Sequence, residues 1–155
     1  MSVVAARRNR AAARVEGFRN VNAAPSDPVD TWPFEALVET IETGLVSDWQ
    51  PVLAEIRRRP WGKVARRVGR WAHMSSGDPA ARLLTLAIER ARQRREDDER
   101  DEVARDIRDS IAASGMTSAE FAASVGTSAS RLSTYATGRV VPSATMLLRI
   151  RRARG

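Results

Sequence analysis

Hydroxyl side chains stand at two places where the sequence predicts that a helix begins, at Thr117 with Ser118 and at Ser128. The first backbone N–H groups of a helix have no partner inside it, and the helix dipole makes this end positive. Such an end binds a phosphate group. Arg139, just past the second predicted helix, adds a guanidinium that holds phosphate with a planar fork of donors. These residue types predict contacts to a polyanion.

Two short helices joined by a tight turn must position these side chains. The first is predicted from about Ser118 to Val125 and the second from about Ser128 to Thr137, with Gly126 between them. Glycine adopts the left-handed conformation of such a turn at little steric cost. The apolar residues of each helix share one face, and they are Phe121, Ala122, Val125, Leu132 and Tyr135. This pattern predicts a helix-turn-helix, whose second helix lies in the major groove of DNA.

The residue order from about Val103 to Ile150 resembles the Xre-type helix-turn-helix of λ-repressor-like proteins. The positions that carry the resemblance are Thr117, Phe121, Ala122, Val125, Gly126, Ser128, Ser130, Leu132, Tyr135, Gly138, Pro142, Ser143 and Leu147. The glycine punctuation and the Pro-Ser start of a following helix make this pattern more specific than a bare helix-turn-helix.

The resemblance implies that the second helix meets base edges through short side chains, with Arg131 at a base or at a phosphate. The DNA-contacting set expected in this way is Thr117, Ser118, Thr127, Ser128, Ala129, Ser130, Arg131, Ser133, Thr134 and Arg139. Family members often carry Gln or Arg where Ala129 and Ser130 stand, and short side chains discriminate less between bases. The resemblance also implies a homodimer on near-palindromic double-stranded DNA.

The composition agrees with a polyanionic partner. The 155 residues carry 26 basic and 19 acidic side chains, a net charge of +7. All the basic residues except Lys63 are arginines, a bias that a GC-rich genome explains equally well. There is no cysteine and His73 is the single histidine, so neither a metal site nor another cofactor is expected. No apolar run is long enough to predict a membrane span.

The sequence predicts an all-α protein in four parts. These are a flexible basic arm over residues 1–30, a small helical unit over 31–77, a charged linker helix over 78–102 and a λ-repressor-like helix-turn-helix domain over 103–155. In the arm, Arg7, Arg10 and Arg14 would form one stripe if it were helical. The arm is expected either to be a frayed, solvated tail or to add phosphate and minor-groove contacts.

Helical spacing and breaker residues place further helices at about 33–43, 47–59, 61–73 and 143–153. One long helix, or two nearly collinear ones, is expected over about 79–114, because Asp78 and Pro79 form a start signal and no Gly or Pro follows before Gly115. Its middle is almost entirely charged, so it should stand in solvent.

All four tryptophans fall in the unit over 31–77. We interpret them as core rather than as a stacking surface, because so small a unit needs large side chains to exclude water. The third helix carries a basic face of Lys63, Arg66, Arg67 and Arg70. The sequence leaves open whether this face is solvated, contacts DNA or binds an acidic protein partner.

The sequence favours a sequence-specific transcriptional regulator, most simply a repressor. We expect a bacterial or phage protein that lies in the cytoplasm and is associated with the nucleoid. The alternative is an antitoxin, in which residues 31–95 neutralise a toxin enzyme while the helix-turn-helix represses the shared operon. An enzyme is not expected, because the sequence offers neither paired carboxylates in an apolar setting, nor a Gly-rich phosphate loop, nor a nucleophile beside a base.

Overall fold

The computed structural model of the chain describes residue 18 and residues 21–154, and within them every regular element is helical. This confirms the all-α prediction. The helices are α1 (Phe34–Thr43), α2 (Gln50–Arg58), α3 (Lys63–Met74), α4 (Pro79–Ser114), α5 (Ser118–Val125), α6 (Ala129–Ala136) and α7 (Ala144–Arg152). Short 3₁₀ turns at Val29–Thr31 and Val46–Trp49 precede α1 and α2. Most of the basic arm predicted over 1–30, with its arginine stripe, lies outside the described residues.

Helix α4 begins and ends at the predicted signals. Asp78 caps it, with Oδ1 accepting a hydrogen bond from the N–H of Ala80 at 2.8 Å. The helix ends before Gly115, whose φ is 66°. Residues 93–102 in its middle are all exposed, as predicted for a stretch without an apolar face. The chain divides into two compact units between residues 93 and 94. The four-part division stays a prediction.

The first unit is built around apolar side chains from α1, α2, α3 and the first part of α4. Three tryptophans are buried there, and each indole N–H has an acceptor: Trp32 donates to Asp27 O (2.9 Å), Trp49 to Thr40 O (3.2 Å) and Trp71 to Glu42 Oε1 (3.0 Å). The core interpretation is confirmed for these three. It is wrong for Trp61, which lies in the turn before α3 and is 44% exposed.

Most of the basic side chains of α3 donate hydrogen bonds to backbone carbonyl groups in nearby loops of the same unit. Arg67 donates to Trp32 O (2.7 Å), Arg66 to Trp61 O (2.7 Å) and Lys63 to Asp30 O (3.4 Å). Arg70 differs, because it makes no hydrogen bond or ion pair with any other described residue. Three of the four basic side chains of this face therefore hold neighbouring backbone against α3.

The second unit packs the C-terminal part of α4 with α5, α6 and α7 around one core. The buried members are Ile107, Phe121, Ala122, Val125, Leu132, Tyr135 and Ile150. Five of them are the inner positions that the sequence predicts for α5 and α6, namely Phe121, Ala122, Val125, Leu132 and Tyr135. Full burial of a large apolar side chain contributes about 1.5–3 kcal/mol to the free energy of folding. Burial in this core is therefore the main interaction that holds α5, α6 and α7 against one another.

Candidate nucleic-acid interface

The turn between α5 and α6 has the backbone that its glycine predicts. Gly126 adopts φ 77° and ψ 42°, a left-handed conformation that L side chains rarely take. The N–H of Thr127 then donates to Ala122 O at 2.9 Å, which satisfies a terminal carbonyl of α5. This closure lets α6 begin immediately, at Ala129.

The N-terminus of α6 is electropositive and has no carboxylate in its first turn. Ser128 caps it, with Oγ accepting from the N–H of Arg131 at 3.2 Å. The cap occupies only one of the terminal donors, so the N–H groups of Ala129 and Ser130 keep their capacity for an outside acceptor. An anion is the acceptor that this end favours.

The N-terminus of α5 differs in charge. Thr117 and Glu120 form a reciprocal cap: the Thr117 hydroxyl and backbone N–H both donate to Glu120 Oε2, at 2.7 and 2.8 Å, and the Glu120 N–H donates to Thr117 Oγ1 at 3.3 Å. The hydrogen bonds from the side chain and backbone of Thr117 lower the pKa of Glu120. A carboxylate therefore already occupies this helix end, beside exposed Ser118.

Helix α6 buries one side and exposes the other. Leu132 and Tyr135 pack into the core, while Ala129, Ser130 and Ser133 are exposed. Thr134 is half-buried, and its hydroxyl donates to Arg131 O at 2.7 Å. The outward face accordingly presents short side chains, and only the hydroxyls of Ser130 and Ser133 are available on it among the described residues.

A cleft of about 660 Å³ lies beside the start of α6. It brings together three of the predicted contact residues, Thr127, Ser128 and Arg131. It also includes Ser143, whose Oγ accepts from the N–H of Met146 at 3.2 Å and caps α7. Two capped helix starts and one arginine therefore border the same space, an arrangement that favours an anionic ligand.

The other predicted residues lie elsewhere on the unit. Thr117 and Ser118 stand at the start of α5, and Arg139 is exposed after Gly138, which ends α6 with φ 72°. None of these three lines the cleft. The exposed valines Val140 and Val141 do line it, and the sequence does not predict a role for them.

Arg149 on α7 is a candidate contact that the sequence does not single out. A Cβ placed on Gly126 would lie 3.7 Å from Nη1 of Arg149, so this guanidinium reaches the turn before α6. Among the described residues Arg149 has no hydrogen-bond or ion-pair partner. Arg149 is exposed on α7, and the packing of that helix brings its guanidinium to the turn.

Arg151 of α7 and Arg154, just past the end of that helix, are held by a carboxylate instead. Arg151 Nε lies 2.8 Å from Asp106 Oδ2, and Arg154 Nη1 lies 3.6 Å from Asp106 Oδ1. Arg108 is likewise occupied, because it donates to Ala136 O at 2.6 Å. The cations of the second unit are thus of two kinds, those engaged within the unit and those open to a ligand.

Within the described part of the chain, no group of three or more His, Cys, Asp or Glu side chains is placed to hold a metal ion. Of the helices in residues 21–154, none combines the length and the apolar character needed to cross a bilayer. No protein-family model, curated protein or solved structure matches the chain.

Proposed function

We propose that the chain is a sequence-specific DNA-binding regulator of transcription, acting as a repressor, with α5 and α6 as its helix-turn-helix. The observation that carries the proposal is the start of α6. It combines free backbone donors, the absence of an acid in the first turn, and two arginines, Arg131 in the cleft and Arg149 beside the turn. The resemblance of residues 103–150 to Xre-type proteins supports the same reading.

In this proposal the phosphates are bound before any base is read. The N–H groups at the start of α6, with Arg131 and Arg149, would bind the phosphate backbone of one DNA strand. Arg139, beyond the end of α6, would add a further phosphate contact. The start of α5 is the weaker phosphate site, since the Glu120 carboxylate repels an anion there. Thr117 and Ser118 remain predicted contacts that rank below Ser128.

Sequence would be read by the outward face of α6. Ser130 and Ser133 hydrogen-bond to several bases, and Ala129 can contact a thymine methyl group. Such short side chains give limited discrimination, so we propose that the protein binds as a homodimer to two half-sites about one helical turn apart. DNA shape supplies the rest of the specificity.

The experiment that tests this function is enrichment of genomic fragments on the intact chain, followed by sequencing and by gel shifts on the enriched site. We expect one recurrent motif with two-fold symmetry. Arg131→Ala should weaken binding by about tenfold or more, whereas Arg57→Ala, an exposed arginine of α2 in the first unit, should leave it within about twofold. Equal binding by the two variants would remove Arg131 from the DNA-contacting face.

A second candidate function is the antitoxin. The observation that favours it is a pair of exposed leucines on α4 in the first unit, Leu83 (57% exposed) and Leu86 (42%), because adjacent exposed apolar side chains mark sites that another protein covers. Co-expression with the product of the adjacent gene separates the candidates. An antitoxin co-purifies with that product and abolishes its toxicity, and a plain repressor does neither.

A further inference from the structure

A groove of about 870 Å³ runs between α3 and α4 in the first unit. Its apolar floor is formed by small or aliphatic residues from both helices, namely Ala65, Gly69, Ala72, Ala81 and Ile88. Leu86 stands at its edge with 42% of its surface exposed. The groove is unrelated to the second unit and to the DNA-binding proposal, on which the following inference does not depend.

Gly69 keeps this floor open. A glycine within a helix is less favourable than alanine by about 1 kcal/mol. Packing does not require it here, because a Cβ on Gly69 would be 3.8 Å from Ile88 Cδ1, which is ordinary van der Waals contact. A larger side chain at position 69 would fill the floor, and glycine leaves it open at a small cost in helix stability.

The rim of the groove is basic. Arg66, Arg70, Arg82 and Arg92 line it, against the single acid Glu89. Arg66 and Arg92 donate to the carbonyl oxygens of Trp61 and Pro60, at 2.7 and 3.2 Å, which fixes one end of the groove. Arg70 and Arg82 have no hydrogen bond or ion pair with the other described residues, so one unpaired cation stands on each bank.

An apolar floor between two basic banks complements an apolar stripe flanked by carboxylates. Double-stranded DNA fits the banks but offers nothing apolar for the floor. A second copy of this chain fits poorly too, since its acidic run at residues 96–102 contains no apolar side chain. The α3 residues that line the groove run from Ala65 to His73. They span about 12 Å, which matches roughly two turns of a docked helix.

We propose that the α3–α4 groove is the docking site for an acidic amphipathic helix of a partner protein. The apolar stripe of that helix would cover Gly69, Ile88 and Leu86, and its carboxylates would pair with Arg70 on one bank and Arg82 on the other. The groove is open along its length, as helix-receiving surfaces are, whereas a small-molecule site encloses most of its ligand.

The test uses the full chain and a fluorescein-labelled synthetic peptide of about five helical turns, with leucines and alanines on one face and glutamates on both flanks. Two matched peptides serve as controls, one with lysines in place of the glutamates and one with serines in place of the leucines. Fluorescence anisotropy measures binding. We expect saturable binding of the acidic peptide alone, weakening as salt is raised.

Variants locate the binding. Gly69→Leu, which fills the floor, and the pair Arg70→Glu with Arg82→Glu should each raise the dissociation constant about tenfold. The control pair Arg57→Glu with Arg90→Glu, which makes the same charge change at exposed arginines outside the groove, should stay within about twofold. Circular dichroism of every variant shows whether it folds. Gly69→Ala, whose Cβ makes only ordinary van der Waals contact, separates the effect of replacing the glycine from the filling of the floor by leucine.

Three outcomes overturn the proposal. The first is no binding of the acidic peptide, or equal binding by the groove variants and the control pair. The second is a monomer–dimer equilibrium, followed by analytical ultracentrifugation, that Gly69→Leu shifts towards monomer, because a second copy would then occupy the groove. The third is a loss of duplex DNA affinity in the groove pair that exceeds the loss in the control pair, because the banks would then bind phosphate.

Discussion

Arg151 forms a 2.8 Å ion pair with Asp106, whereas Arg149, on the same helix, extends its guanidinium to the turn at Gly126 and finds no partner among the described residues. Two cations of one short helix therefore have separate tasks. One ties α7 to α4, and the other remains available at the start of α6.

This division predicts opposite effects for two otherwise similar substitutions. Arg149→Ala should weaken DNA binding by a similar factor on all sequences and reduce the slope of log K against log salt by about 1, with no change in stability. Arg151→Ala should leave the DNA slope unchanged and lower the free energy of unfolding by about 0.2–1 kcal/mol, since the pair is half-exposed. Salt-dependent gel shifts and urea unfolding measure the two quantities. A smaller slope of log K against log salt in Arg151→Ala would contradict these separate roles of the two arginines.

Glu120→Gln should change both the pH dependence of the free energy of unfolding and the affinity for DNA. Hydrogen bonds from Thr117 depress the pKa of Glu120 in the folded state, so its stabilising contribution is present above the ordinary value of 4.5 and is lost as pH falls through the depressed pKa. The variant should thus be less stable than wild type at pH 7 and approach it in acid. Urea unfolding across that range measures the difference.

The same substitution removes a negative charge from the start of α5, so the variant should bind duplex DNA more tightly than wild type at neutral pH. Glu89→Gln, an acid of the first unit, is the control for net charge alone. If both variants gain affinity equally, the position of Glu120 at the helix end has no special effect.

Gly126→Ala should destabilise the second unit by about 1–2 kcal/mol, because alanine is strained in the left-handed region. Gly77→Ala is the matched control. Gly77 has no atom within 4 Å of its Cβ position and lacks a positive φ, so its change should stay within about 0.5 kcal/mol. Thermal unfolding of both variants measures the contrast, and equal melting temperatures would contradict the turn geometry.

Replacing a tryptophan with alanine should cost more stability where the ring is buried than where it is exposed. Trp71→Ala removes a buried ring and should lower the free energy of unfolding by about 3–5 kcal/mol, or leave the first unit unfolded. It also strands the Glu42 carboxylate that accepts the indole N–H. Trp61→Ala should cost less than about 1 kcal/mol. Far-UV circular dichroism during urea titration distinguishes them, and a large loss for Trp61→Ala would place that ring in a core.

Helix positions were predictable because their signals are local. Asp78 with Pro79, and the positive-φ glycines Gly115 and Gly126, act on the backbone next to them, and apolar spacing alone identifies the buried faces of α5 and α6. The Ser128 cap follows from the same local chemistry. Local signals therefore account for the helices of the second unit and for the start of α6.

The remaining features depend on contacts distant in sequence. Arg149 and Arg151 are both exposed on α7, and the position of Asp106, distant in sequence, is what separates their roles. Trp61 looks like the other tryptophans until the turn that carries it is found uncovered. The basic face of α3 also depends on distant contacts. Arg66 and Arg67 are engaged because the carbonyl groups of Trp61 and Trp32 lie beside them.

The exposed middle of α4 has a consequence for how the chain responds to solution conditions. Residues 93–102 bury no side chain, so their helix relies on backbone hydrogen bonds and on surface pairs such as Arg95 with Glu99 at 3.6 Å. Salt weakens such pairs, and a polar helix without tertiary support frays readily. Amide hydrogens in this stretch should therefore exchange faster than those on either side of it. The centre of the longest helix, rather than its ends, would then be the first place where a protease finds unfolded backbone.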